Sequence, residues 1–451
     1  MGNEREFGKI KKKARAGMPD VVDDLKGLIR HPSVAFPGYP PGPVHAMADA
    51  TVALLKRYGL QDARLIGIPG GYPAVYGEIP APPGAPTVLM YAHYDVQPAK
   101  KEDEWETDPW TPQEKDGRIY GRGAADDKSG IMIIAASLRI LGGKPPVGVK
   151  VLIEGEEETH GHLEEFVAAH PACFACDAFI VVDNGNLSSG NPSLTTTLRG
   201  EVSCIIEVRT LDHAVHSGAF GGPAPDALVC LIRILATLHD ARGDVAVPGL
   251  RSDSGGSLEY PERIYRKSSG VIDGVNLIGT GSLSARLWSK PSVTVIGIDA
   301  PSVSSASNIL IPRAAAAISM RISPSADPHR ELQLLMDHLQ AATPWNAHVE
   351  IREASASSGF VCPAGGPAFS AARRALESAY ERPVSESGAG GSIPLMQVLH
   401  NAVPNAEFIL WGAEDASCSR IHGTNESVDI GELERLIVAQ SLFLQLMGKP
   451  R

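Results

Sequence analysis

The stretch Thr87–Val96, TVLMYAHYDV, decides the fold. Its apolar run reads as a buried strand, and it ends in a histidine and an aspartate. Working outward, residues 130–141 (GIMIIAASLRIL) read as a buried helix. Residues 149–153 (VKVLI) and 178–182 (AFIVV) are short apolar runs that end near acidic residues. Strands separated by helices imply an α/β fold with a largely parallel sheet. In such sheets ligands bind beyond the carboxyl ends of the strands, so the polar residues just after each apolar run are the ones to inspect.

The texture changes near Gly200. Residues 201–209 (EVSCIIEVR) alternate like a half-exposed strand, and residues 225–239 read as an amphipathic helix with Pro225 in its first turn. Residues 292–298 and 314–322 look like strands and 328–342 like a helix, whereas 251–290 is rich in Gly and Ser and reads as an irregular excursion. After Ser358 the α/β texture returns, with a strand at 407–411 and a terminal helix at 431–447. The expected organisation is therefore a mostly parallel mixed sheet flanked by helices, with a smaller α+β domain inserted into it. The catalytic part spans 1–199 and 359–451, and the insert, a lid or dimerisation domain, spans 200–358.

With 451 residues the chain is long enough for two domains. At 43% hydrophobic and 21% charged residues it is globular. A net charge of −11 argues against nucleic acid as a partner, since such a binder needs a basic face. No apolar run approaches the ~18 residues of a membrane span. The start, MGNEREFGKIKKKARAG, has no long apolar stretch, and Lys11–Lys13 read as the solvated face of a first helix. Six thinly spread cysteines, with one CxxC at Cys173 and Cys176, read as reduced thiols; a zinc ribbon needs a second pair. A cytoplasmic chain is the expectation.

Five acidic or histidine clusters follow expected strand ends or loops: His93-Tyr94-Asp95, Asp126-Asp127, Glu154–Glu158 (EGEEE), Asp183-Asn184 and His422. Each alone has an ordinary reading as a structural histidine, a helix cap or a solvated acidic loop. Together they crowd carboxylates at one sheet edge, which is costly without compensation. A cation removes that cost, and mixed imidazole and carboxylate ligands suit zinc, manganese or cobalt.

His93, Asp95, YGRGAADDKSG (120–130), EGEEET (154–159), VVDN (181–184) and IHGTNE (421–426) resemble the signatures of two-metal peptidases of the carnosinase and glutamate-carboxypeptidase type. The motifs keep that family's order and span residues 91–426. HSGAFGG (216–222) and GGSIP (390–394) match as well, and the set is similar to the nonspecific dipeptidase and carnosinase branch.

The resemblance implies two divalent metal ions per chain, zinc or else manganese or cobalt, and hydrolysis of the amide bond of dipeptides. His93 and Asp183 would bind one ion, Glu158 and His422 the other, and Asp126 both. Asp95 would orient a ligand, and Glu157 would be the general base for a water held between ions roughly 3.5–4 Å apart. The peptide bond after Asp126 would be cis. His216 would stabilise the oxyanion from the insert, reaching the partner's site in a homodimer. Asn308, Arg321, Gly391 and Ser392 would meet the substrate, Arg321 through its α-carboxylate. One departure stands out: relatives often carry Arg-Glu just before GGSIP, where this chain has Gly388 and Ala389.

The same metals and base would also serve an N-acyl amino acid amidohydrolase, and the lost charges before GGSIP keep that alternative open. A catalytically dead scaffold would lack a ligand or the base, and all six are present. A serine hydrolase has no support, because no GxSxG elbow follows a strand. The GAGG run is no dinucleotide loop, since Pro394 follows closely.

Overall fold

The computed structural model describes residues 2–99, 104–159, 161–253, 258–391 and 395–449. The deciding strand forms at Thr87–His93 and is buried along nearly its whole length. Gly148–Glu154 and Ala178–Val181 pair with it in parallel on its two sides, and Glu407–Leu410 pairs in parallel with Ala178–Val181. Antiparallel strands complete a mixed sheet of nine strands among the described residues, with Arg64–Ile66 and Ala74–Ile79 at one side.

Successive side chains of a strand point to opposite faces, and here both faces are covered. Val88, Met90 and Ala92 pack into a core with the helices Gly2–Ile29, Lys128–Ile140, Pro367–Tyr380 and Ile430–Met447. Leu89 and Tyr91 pack into a second core with Leu163–Ala169 and Leu395–Ala402. This double burial explains why the run is continuously apolar rather than alternating.

Strands from residues 200 to 357 build a separate four-stranded antiparallel sheet in the order Ser292–Asp299, Arg313–Ile322, Gly200–Arg209, His348–Ser357. Val202, Cys204, Ile206 and Val208 face the helices Ala227–Ala236 and Pro328–Ala341. The intervening residues are only half-buried, so the alternation read from the sequence is the alternation in space.

Three local expectations need correction. The helix expected from Pro225 begins at Ala227, because the Asp226 carboxylate accepts the Val229 N–H at 3.0 Å and caps it. The excursion at 251–290 contains two short helices, Glu262–Ser269 and Leu283–Trp288. The cap of Lys128–Ile140 is Asp127, not Asp126: its Oδ1 accepts the Gly130 N–H at 3.0 Å. No helix among the described residues is long and apolar enough to cross a membrane.

Candidate active site

Sheet register assembles the site. His93 stands opposite Glu154, and Tyr91 opposite Val181, so three neighbouring parallel strands end at one edge. Chain leaving those ends delivers Asp95, Glu157, Glu158 and Asp183. Asp126 arrives from the turn that precedes Lys128–Ile140, and the Asp126–Asp127 peptide bond is cis, as the family resemblance implied. His422 comes from the loop beyond Glu407–Leu410.

All five expected ligands meet there. Asp126 Oδ1 lies 2.9 Å from His93 Nε2, and Asp126 Oδ2 lies 2.9 Å from His422 Nε2. One carboxylate thus faces two histidines with its two oxygens. Asp183 approaches His93 Nε2 at 3.7 Å, and Glu158 approaches His422 Nε2 at 3.2 Å. His93, Glu157 and Asp183 form one set of donor atoms within 4.8 Å of one another, and Asp126, Glu158 and His422 form a second. His93 is fully buried while the His422 side chain is 54% exposed, so the cluster opens toward solvent on the His422 side.

Asp95 touches the far side of this arrangement. Its carboxylate lies 3.3 Å from His93 Nδ1 and accepts the N–H groups of Glu157 and Glu158 at 3.1 and 3.0 Å. It therefore fixes the imidazole and the Glu157–Glu158 turn together. Asp127 Oδ2 accepts the His93 N–H at 3.2 Å, and Gln97 donates to Glu158 at 2.7 Å.

Glu414 was missed in the sequence. It groups with Asp126 and Asp183 as a third set of donor atoms within 4.8 Å. Its signal was present: Glu414-Asp415 follows the apolar run ending at Trp411, as the other acidic clusters follow theirs.

The substrate-contact candidates lie apart from this cluster in sequence and mostly on the second sheet region. His216 and Asn308 adjoin, because His216 pairs with Ile309 and the Ser217 N–H donates to the Asn308 carbonyl at 2.9 Å. Both are exposed, and His216 Nδ1 accepts the Gly218 N–H at 3.0 Å. Arg321 stands across from Glu201 in the sheet and pairs with it at 2.9 Å. Gly391 is exposed, and Ser392 lies outside the described residues. At Gly388 an added Cβ would come within 2.6 Å of both Trp288 and Thr197. Trp288 occupies the space that a longer residue there would need. At the CxxC, burial pushes the Cys176 thiol up to about 12, the reverse of an activated redox pair.

Electrostatics point to cations. Burial raises the Glu157 carboxyl well above its ordinary range, and Asp183, Glu158 and Asp126 add to the rise against His93. Burial likewise raises Glu414, with Asp126 and Asp183 adding to it. Burial disfavours a charged His422, yet Asp126 and Glu158 outweigh it and hold the imidazolium up to about 11. His93 is raised well above its usual value by Asp183, Asp126 and Asp95 in the same way, against burial. Without a metal, His422 thus keeps a proton at neutral pH that a metal ligand must give up. Imidazole and carboxylate donors in two adjoining sets, sharing Asp126 between two histidines, fit a pair of divalent ions. Binding of zinc is therefore expected to release protons. Its affinity should fall by roughly tenfold per pH unit for each proton released, going from about pH 8 to about pH 6. Calorimetry in buffers of different ionisation enthalpy checks this, and binding that is independent of pH and buffer contradicts it.

The chain belongs to peptidase family M20/M25/M40, whose family model matches residues 89–446, and it is a hydrolytic enzyme. It is 37% identical over 373 residues to a cysteinylglycine-S-conjugate dipeptidase of Corynebacterium striatum, covering 81% of this chain and 82% of that protein. It is 29% identical over 392 residues to a β-Ala-His dipeptidase of Rattus norvegicus, covering 79% and 76%. Among solved structures, human carnosine dipeptidase 1 superposes with a TM-score of 0.83 at 24% identity, covering 98% of each chain, which shows the shared fold.

Proposed function

We propose that this enzyme is a two-metal dipeptidase of the cytoplasm. The observation that carries the reading is Asp126, whose two oxygens face His93 and His422, with Glu157 and Glu158 side by side at the same edge. The dipeptidase names of its relatives support the substrate class. Six free cysteines suit a reducing compartment.

His93 and Asp183 would hold one ion, Glu158 and His422 the other, and Asp126 would contribute to both. Zinc is the first choice, with manganese or cobalt as alternatives. Once bound, the ions would supply an acidified water and polarisation of the scissile carbonyl. Glu157 takes the water's proton and returns it to the departing amine nitrogen, so the amide bond ends as a carboxylate and an amine. Asp95 keeps the His93 imidazole and the Glu157–Glu158 turn in register. Arg321, Asn308, Gly391 and Ser392 are assigned to substrate, and Arg321 pairs with its carboxylate. Residues 1–199 and 359–451 form the catalytic domain and 200–358 the inserted lid, consistent with the two separate sheets. A panel of dipeptides tests the reading, with hydrolysis expected only in metal-loaded protein.

The second reading, an N-acyl amino acid amidohydrolase, draws on Gly388 and Ala389. Neither position carries a charged side chain in this chain, and Trp288 lies close beside Gly388. Assays of N-acyl amino acids beside dipeptides separate the two.

The enzyme acts as a homodimer in which His216 serves the partner's site; its exposure and its place among small residues in HSGAFGG support this. Mixing inactive His216→Ala and Glu157→Ala proteins under subunit exchange is expected to restore at most about a quarter of wild-type activity. Random exchange makes about half the dimers mixed, each with one good site of two. Exchange without any recovery assigns His216 to its own chain.

A further inference from the structure

Arg122 and Glu426 form an ion pair beneath the site, with side chains 2% and 0% exposed and Arg122 Nη1 2.8 Å from Glu426 Oε2. Neither belongs to the donor sets. What they do with their remaining hydrogen-bonding capacity is specific. Glu426 Oε2 also accepts the Gly123 N–H at 3.0 Å, and Oε1 accepts those of Ala125 and Asp126 at 2.9 and 3.2 Å. Arg122 Nη2 donates to the carbonyls of His422 and Gly423 at 3.1 and 3.2 Å. The Trp105 ring lies 5.4 Å from the guanidinium carbon and packs against it.

The pair therefore grips the backbone of two ligand-bearing turns that lie some 300 residues apart in the chain. The His422 turn needs such a grip. His422 has φ 61°, and Arg420 and Asn425 have φ 52° and 58°, in the left-handed region that side-chain-bearing residues seldom adopt. Local preference does not hold that shape, so contacts from elsewhere must. A buried ion pair is also a poor source of stability, because desolvation cancels much of its attraction.

We infer that Arg122 and Glu426 are positioning residues that set the separation of Asp126 and His422, and with it the affinity of the ion held by Asp126, Glu158 and His422. This rests on the two-ion reading above. Removing partners that orient metal ligands typically weakens metal binding by ~10–100-fold.

The test uses full-length Arg122→Lys and Glu426→Gln proteins, titrated with zinc against a chromophoric chelator. Arg122→Lys keeps a charge facing Glu426 and loses the reach to His422, so it carries the test where Glu426→Gln does not fold. Wild type is expected to bind two ions. Arg122→Lys, which loosens the His422 turn, should keep one at wild-type affinity and bind the other ~10–100-fold more weakly. Glu426→Gln, which also loosens the Asp126 turn, should weaken the ion on the His422 side by at least as much and the other ion by less. Adding Arg122→Lys to His422→Ala should then cost little further affinity, because both changes act on the same ion. Equal weakening of both ions, together with a lower unfolding midpoint of metal-free protein, marks a merely structural role and overturns the inference. So does wild-type affinity for both ions in Arg122→Lys. A wild type that binds fewer than two ions overturns the two-ion reading and this inference with it.

Discussion

Asp126→Ala protein is expected to bind neither divalent ion and to hydrolyse no dipeptide, while keeping its fold. Among the described residues, the Asp126 carboxylate reaches both histidines, with one oxygen 2.9 Å from each. Removing it takes a donor from both ions at once. The affinity loss should exceed the ~10–100-fold that follows loss of a partner behind a ligand. Folding should survive for two reasons. The helix that follows is capped by Asp127, so its N-terminus stays satisfied. Deleting Asp126 also relieves repulsion on Glu157, Glu158 and Glu414, which offsets the attraction to His93 and His422 that it removes. Elemental analysis after desalting, beside thermal unfolding, makes the measurement. Two retained ions with normal turnover would falsify the assignment of Asp126 as the shared ligand.

Glu157→Gln and Glu158→Gln should fail in different ways. Both residues sit in one turn held by Asp95 through their N–H groups, so neither substitution alters the backbone anchor. Glutamine keeps the shape of glutamate and cannot take a proton. Glu157→Gln should therefore retain both metals and lose at least ~10²-fold in kcat, within the range of a general base. That is about 2.7 kcal/mol of barrier. Glu158 lies against His422 and accepts from Gln97, so Glu158→Gln should release metal instead. Glu157 also falls within reach of His93 and Asp183 as a donor, which makes the comparison informative. If Glu157→Gln sheds an ion and Glu158→Gln keeps both, base and ligand must exchange places.

The sequence told most about residues whose role is repeated along a strand. The run at 87–96 announced a buried strand because Val88, Met90 and Ala92 pack into one core while Leu89 and Tyr91 pack into the other. The acidic ends of such runs marked the site, because parallel strands in register must deliver their last residues to one edge. The antiparallel strands Arg64–Ile66 and Ala74–Ile79 stayed hidden: the first is exposed and three residues long, and its pattern is too short to read. Glu414 and the Arg122–Glu426 pair escaped for another reason. Their importance lies in contacts between distant segments, and Glu426 read only as the end of IHGTNE until Arg122 was seen beside it. His216 was legible as part of HSGAFGG and Asn308 only through the family resemblance; both are exposed in the single chain.

The central claim is most directly tested by one measurement: turnover of metal-stripped enzyme, refilled separately with zinc, manganese or cobalt, against a panel of dipeptides and N-acyl amino acids. No turnover is expected without metal, recovery is expected at about two equivalents per chain, and dipeptides should be hydrolysed in preference to acyl amino acids. Dipeptide hydrolysis that persists in fully stripped protein, or no hydrolysis of any dipeptide with any of the three metals, would contradict it.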